Sequence, residues 1–136
     1  SSVDYCYATK HAAVKLSELA VGIGPFVVGP ACERKLGLAG MSDLAINAAE
    51  WRSADWAFQR GLYNDIFEDA AAMDEAIEAL VGRLVTKSVP AMRGLKHVFW
   101  QGTEHWDELL AERAAISGEL ILSKEAKDAI NAFKSR

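Results

Sequence analysis

The 136-residue sequence predicts an α/β fold, with a few short strands near its start and a largely helical second half. Residues 3–7 and 13–16 form short runs that are predicted as strands, the first of them rich in aromatic and β-compatible residues. From residue 71 onward, apolar residues recur at helical spacing. Between these regions, residues 16–30 are apolar and rich in glycine and proline, with Glu18 as the single ionisable residue.

Composition places the chain among ordinary globular proteins. Hydrophobic residues make up 51% and charged residues 25% of the sequence, and the formal net charge is −4. A negative chain argues against a nucleic-acid surface, which requires a basic face. Cys6 and Cys32 have neither metal-ligand nor redox-motif spacing, so both are predicted to be reduced, in a cytoplasmic compartment. No apolar run reaches the roughly 18 residues that a membrane span needs.

Further elements of the first half follow from caps and breakers. A helix is predicted over residues 26–36, ending at Gly37, and another over residues 39–48. A short helix within residues 51–61 has Ser53 as its N-cap. It lies between two extended fragments, one near Trp51 and one over residues 62–67.

Four helices are predicted in the second half, each with one apolar face. They cover residues 71–86, 91–101, 104–121 and 124–134; Pro90 starts the second, and Thr103 and Ser123 cap the last two. These faces carry more apolar surface than one small sheet edge can cover, which predicts oligomerisation. We therefore expect two regions, a catalytic-loop region over 1–68 and a helical oligomerisation region over 69–136.

Glu18 is the strongest candidate for chemistry. Glycines at positions 22, 24 and 29 allow the backbone to approach a ligand closely. A lone carboxylate against an apolar wall is partly desolvated, which favours its protonated form and suits it to proton transfer. The alternative is that Glu18 is a solvated residue at the end of a strand and that the glycines only form a turn.

Other candidate residues have weaker patterns. The three histidines share no spacing that suits a metal, and packing or surface roles are expected for His97 and His105. The Gly22-Ile-Gly24 fragment lacks the third glycine of a dinucleotide-binding fingerprint. No nucleophile elbow, Walker loop or His-Glu-x-x-His motif is present. The four tryptophans are expected in the core or at an interface.

Several motifs together resemble one family. Asp4-Tyr-Cys-Tyr-Ala8 is followed, after a short interval, by Leu16-Ser-Glu18-Leu-Ala-Val-Gly22-Ile-Gly-Pro25. Downstream come Ser53-Ala-Asp-Trp-Ala57, Gly61-Leu-Tyr-Asn64, Ser88-x-Pro90 with Lys96, and a terminal helix that ends near Phe133. In this order and spacing, the chain resembles the C-terminal part of the crotonase, or enoyl-CoA hydratase/isomerase, superfamily, which implies a crotonase-like fold.

The resemblance implies roles for individual residues. Glu18 matches one of two catalytic glutamates of the hydratases, which exchange a proton with water or with a carbon of the thioester-conjugated system. Gly22, Pro25 and Phe26 would form the pocket wall, and Phe133 would lie near the adenine of coenzyme A. The acyl-CoA thioester would be the substrate, with no metal or other cofactor. A homotrimer, or a dimer of trimers, would be the assembly.

The chain also departs from the family pattern. The oxyanion hole and the second glutamate come from segments that would precede Ser1, so a separate N-terminal-half polypeptide is a possible partner and the chain alone is expected to be a poor enzyme. Losing an oxyanion-hole donor costs on the order of 3–4 kcal/mol. Many hydratases have Pro-Gly-x-Gly-Gly where this chain has Pro25-Phe-Val-Val-Gly29, and the N–H after the proline usually helps to hold the water. Phe26 keeps that N–H but adds bulk.

These features predict a 2-enoyl-CoA hydratase that uses Glu18 as its acid/base. Within the same superfamily, an enoyl-CoA isomerase or an acyl-CoA decarboxylase stays open, because either could use Glu18 alone. Outside that class, the alternative is a non-catalytic assembly module held together by its helices.

Overall fold

Two pairs of short strands connect distant parts of the first half of the chain. In the computed structural model, which describes residues 1–134, the elements follow in the order β1 (Tyr7–Thr9), β2 (Ala13–Val14), a 3₁₀ helix (Glu18–Val21), α1 (Gly29–Ile46), β3 (Arg52–Ser53), α2 (Ala54–Gln59), β4 (Asp65–Phe67), α3 (Ala70–Leu84), α4 (Val89–Phe99), α5 (Trp106–Leu120) and α6 (Lys124–Lys134). β1 pairs in parallel with β4, and β2 pairs antiparallel with β3. The fold is thus a mixture of a few short strands and six helices within these residues.

The buried core lies mainly on α1. Four of its side chains, Cys32, Leu36, Met41 and Leu44, form one buried cluster. Partly buried residues pack against it, from α1 itself and from segments outside it: Val14, Leu16, Val28, Ala45, Trp56 and Leu62. The segment that leads to Glu18 therefore rests directly on α1. Cys6 and Cys32 are free thiols, and the cluster buries Cys32 as a small apolar side chain.

α1 is broken at Gly37, as the sequence predicts. Gly37 has φ +68° and ψ 166°, a conformation that a side chain would strain, and the helix resumes beyond it. The first helix begins at Gly29, three residues later than predicted from residue 26. Pro30 stands in the first turn, where its missing N–H costs little.

The predicted strand over residues 3–7 is wrong except at its last residue. β1 begins at Tyr7, and the segment before it leaves the sheet. Asp4 accepts hydrogen bonds there from Lys96 Nζ at 2.5 Å and from Trp100 Nε1 at 2.6 Å. A carboxylate bound to a cation and an indole on α4 draws this segment away from the strand pair.

Local caps decide most helix boundaries. Ser53 accepts a hydrogen bond from the Trp56 N–H at 3.2 Å, and Ser123 accepts one from the Ala126 N–H at 3.1 Å, so both predicted caps are confirmed. The predicted cap at Thr103 is wrong. Its hydroxyl donates backward to the Trp100 carbonyl at 2.7 Å, and α5 begins only at Trp106.

The helices of the second half leave much apolar surface uncovered. No residue of α3, α4 or α5 is buried. Large apolar side chains on α3 and α4 are exposed: Ile77, Val81, Leu84, Val89, Met92, Leu95, Val98 and Phe99. Within the described residues, no helix is both long enough and apolar enough to cross a membrane.

Candidate active site

Glu18 is the first residue of the 3₁₀ helix that follows the β2 segment. The helix ends at Gly22, whose φ of +79° and ψ of 14° lie in the left-handed region. Gly22 N–H donates to the Leu19 carbonyl at 3.2 Å, and Ile23 N–H donates to the Glu18 carbonyl at 3.1 Å. These two bonds close the turn, so the backbone position of Glu18 is fixed by its own loop.

A pocket of about 260 Å³ lies beside the Glu18 side chain. Its lining residues are Glu18, Ile23, Gly24, Pro25, Phe26, Val27, Val28 and Ser117. The Oε2 atom of Glu18 is buried and has no hydrogen-bond partner among the described residues. Buried carboxylate oxygens are normally hydrogen-bonded, because burial without a partner is costly. The pocket is therefore lined by a carboxylate with one buried, unpartnered oxygen, against a mostly apolar wall.

Phe26 folds back onto its own loop. Its N–H donates to the Gly24 carbonyl at 2.8 Å, which closes a tight turn over Pro25. A Cβ on Gly24 would lie 2.5–3.0 Å from three atoms of the Phe26 ring, so the ring occupies the space that a side chain at position 24 would need. The N–H expected to help hold a water molecule is thus already bound to a carbonyl oxygen in this conformation.

The 3₁₀ helix that carries Glu18 is also the docking surface for α6. A Cβ on Gly22 would lie 2.8 Å from Ala126 Cα and 3.0 Å from Ala126 N, so the two backbones meet without an intervening side chain. Ala126 is fully buried, and the cap from Ser123 fixes the start of α6 at this contact. Gly22 therefore faces α6 and does not line the Glu18 pocket.

Phe133 lines a second, separate pocket of about 640 Å³. Its lining residues are Lys15, Ser17, Ala20, Val21, Ala49, Ala129, Ala132 and Phe133. Lys15 is the charged member; its Nζ lies 5.4 Å from the centre of the Trp51 ring and donates to the Ala49 carbonyl at 3.4 Å. The 3₁₀ helix contributes to both pockets, with Ala20 and Val21 lining this one and Glu18 the other.

An ion-paired cluster at Asp4 lies outside both pockets. The hydrogen bond from Lys96, assisted by that from Trp100, holds the pKa of Asp4 below its ordinary value despite some desolvation. The Lys35 ammonium donates to the Asp4 carbonyl at 3.2 Å, and the Arg34 guanidinium lies 4.6 Å from the Trp100 ring centre. The cluster connects the first residues of the chain to α1 and α4.

The histidines lie outside both pockets and are exposed. Within residues 1–134, His, Cys, Asp and Glu side chains form no group of three or more that could hold a metal ion.

A sequence profile described as "Enoyl-CoA hydratase/isomerase" matches residues 1–136. The chain belongs to this family. Curated protein sequences contain no significant match to it.

Solved structures place this enoyl-CoA hydratase/isomerase family chain in the crotonase-like fold. It is similar to OdaA of Pseudomonas aeruginosa, with 26% identity, a TM-score of 0.83 and coverage of 98% of this chain and 54% of that one. An enoyl-CoA hydratase from Bacillus halodurans is 20% identical, with a TM-score of 0.85 over 95% of this chain and 52% of that one. An enoyl-CoA hydratase/isomerase from Pseudoalteromonas atlantica T6c is 21% identical, with a TM-score of 0.84 over 97% and 53%. The family chain spans about half the length of these proteins.

The structure brings together some of the residues that the sequence singles out in this family member. Glu18, Pro25 and Phe26 line one pocket, whereas Gly22 packs on α6 and Phe133 lines the other pocket. Sequence reasoning missed Ser117, which α5 contributes to the Glu18 pocket. No signal in the sequence pointed to it, because a serine on an amphipathic helix is normally a surface residue.

Proposed function

We propose that this chain is the C-terminal half of an acyl-CoA enzyme, a 2-enoyl-CoA hydratase in which Glu18 is the acid/base. The observation that carries the proposal is the Glu18 carboxylate, which lines a mostly apolar pocket and whose buried Oε2 atom has no hydrogen-bond partner among residues 1–134. Such an oxygen can accept a proton from a water molecule or an acyl carbon without first losing another hydrogen bond. Membership of the enoyl-CoA hydratase/isomerase family supports an acyl-CoA thioester as the class of substrate.

In the proposed reaction, water adds across the α,β double bond of the enoyl thioester. The Glu18 carboxylate takes a proton from the attacking water, or in its acid form delivers one to the α-carbon. The apolar side chains from Ile23 to Val28 exclude bulk water from the acyl group. We propose that the oxyanion-hole donors and a second glutamate come from residues outside this chain, which accords with solved relatives about twice its length.

The Phe26 backbone favours a second candidate, an enoyl-CoA isomerase. Because the Phe26 N–H already donates to the Gly24 carbonyl, a water molecule beside Glu18 would have one donor fewer to hold it. Moving a proton between two carbons needs no bound water, and a single carboxylate can carry it. A comparison of 2-enoyl-CoA hydration with the shift of a 3-enoyl-CoA double bond separates the two reactions.

We further propose that the region over residues 69–136 assembles copies of the chain, as a trimer or a dimer of trimers. The exposed apolar side chains on α3 and α4 support this, since a stable monomer rarely leaves such a surface open. Phe133, with Lys15 in the same pocket, is proposed to contact the adenine end of coenzyme A.

The first experiment combines native and denaturing masses with an assay for 2-enoyl-CoA hydration. Glu18→Gln, which keeps the shape of the side chain, is expected to lower turnover by about 10²–10⁴-fold. Glu75→Gln, on the exposed side of α3, is the matched control and is expected to keep full turnover. The assay is run with the segment that supplies the oxyanion hole present, and measurable turnover that is equal in both variants and the wild type would refute the assignment of Glu18. If Glu18→Gln altered the assembly but not turnover, the chain would be an assembly module.

A further inference from the structure

Ser117 is the second polar side chain in the Glu18 pocket. The other lining residues besides Glu18 are one glycine, one proline and four apolar side chains. Ser117 comes from α5, far along the chain, and faces the apolar loop that ends at Val28. A hydroxyl in this position meets no polar loop side chain other than the Glu18 carboxylate.

The Ser117 hydroxyl is held weakly in its present orientation. It donates to the Arg113 carbonyl one turn earlier in α5, at 3.2 Å. Such a bond back to a helix carbonyl is a common resting position for a serine, and rotation about one side-chain bond releases it. Glu18 lines the same pocket, and its buried Oε2 atom has no partner among the described residues. The pocket thus holds an acceptor without a donor and a donor that can be released.

We infer that Ser117 is a positioning residue for Glu18: its hydroxyl turns from the Arg113 carbonyl and donates to the Glu18 carboxylate when an acyl group occupies the pocket. This inference rests on the proposed role of Glu18 as acid/base. A hydrogen bond to one carboxylate oxygen fixes the plane of the group and leaves the other oxygen for the proton transfer. The bond would hold the carboxylate in a loop where the Phe26 N–H already donates to the Gly24 carbonyl.

The test compares Ser117→Ala and Ser117→Thr with the wild type in two measurements. Ser117→Ala is expected to lower kcat by about 3- to 12-fold with little change in KM, because one hydrogen bond is lost. Ser117→Thr, which keeps the hydroxyl, is expected to restore most of it. Ser42→Ala is the matched control, since Ser42 also donates back to a helix carbonyl, that of Ala39 at 3.1 Å, away from the pocket.

The second measurement needs no turnover. The carboxyl carbon of Glu18 is observed by ¹³C NMR and assigned by its loss in Glu18→Gln, with a non-hydrolysable acyl-CoA analogue present and absent. Ser117→Ala is expected to move this signal in the analogue-bound state, whereas Ser117→Thr and Ser42→Ala leave it in place. A Glu18 signal that is the same in Ser117→Ala as in the wild type would overturn the inference. A wild type that stays inactive with the segment that supplies the oxyanion hole present, but whose signal still responds to Ser117→Ala, would refute the proposed function and leave the pairing of the two residues standing.

Discussion

Gly22→Ala is the substitution that tests most directly how the Glu18 loop and α6 hold each other. At φ +79° an alanine costs about 1–2 kcal/mol relative to a right-handed conformation. The new Cβ would also lie 2.8 Å from Ala126 Cα, an overlap with backbone that cannot swing aside. Overpacking of this kind costs about 1–3 kcal/mol. Replacing glycine by alanine also reduces the conformational freedom of the unfolded chain, which offsets about 0.4–1 kcal/mol of this loss. The expected net loss of unfolding free energy is about 1–4 kcal/mol.

Gly102→Ala separates the two contributions to that loss. Gly102 also has a positive φ, +84°, but a Cβ there would meet nothing within 4 Å. Its expected loss is the conformational part alone, under about 2 kcal/mol. Urea unfolding followed by tryptophan fluorescence measures both variants, and trypsin cleavage within α6 reports whether that helix is released.

The comparison has a clear refuting result. If Gly22→Ala and Gly102→Ala lose the same free energy and α6 stays equally protected from trypsin, the close backbone contact contributes nothing. The docking of α6 on the 3₁₀ helix would then depend on side chains alone, and the argument from the absent Cβ would be wrong.

Three further outcomes are expected. Arg52 donates to both carboxylate oxygens of Asp43, at 2.7 and 3.1 Å, and this holds the pKa of Asp43 below its ordinary value. The stabilisation from this pair is therefore complete above the pKa of the unfolded state, about 3.9, and is lost as pH falls through the pKa of the folded state. Asp43→Asn should flatten the acid limb of a curve of unfolding free energy against pH. Lys96→Met should raise the pKa of Asp4 toward the ordinary value, seen as an upward shift of the acid transition in a titration followed by tryptophan fluorescence; an unshifted transition would contradict the contact. Ser53→Ala should cost about 1 kcal/mol by removing the cap of α2, whereas Ser53→Asp should retain most of it, both read from urea midpoints.

Features that depend on neighbours in sequence could be predicted. The caps at Ser53 and Ser123 each act on an N–H three residues later, and the break at Gly37 needs only a residue that tolerates positive φ. The apolar wall beside Glu18 is likewise formed by the residues that follow it directly. The crotonase-like fold could be predicted because several such local motifs occur in one order.

Features that depend on distant residues could not be predicted. Asp4 leaves the predicted strand because of Lys96 and Trp100, which α4 brings to it from the far end of the chain. Ser117 reaches the Glu18 pocket in the same way. Thr103 shows a different failure. A threonine hydroxyl can cap the following helix or donate to a preceding carbonyl, and the hydroxyl of Thr103 donates to the Trp100 carbonyl.

Because the Phe26 ring packs over Gly24, the effect of a substitution at either position depends on the residue at the other. A side chain added at position 24 would displace the Phe26 ring, whereas the same change made after Phe26 has become small would avoid this overlap. The order of the two changes therefore matters, because only the order that begins with Phe26 avoids the overlap. Related chains that carry a side chain at position 24 should carry a small residue at position 26, and a double-mutant cycle on Gly24→Ala and Phe26→Ala would measure this dependence as a non-additive free energy.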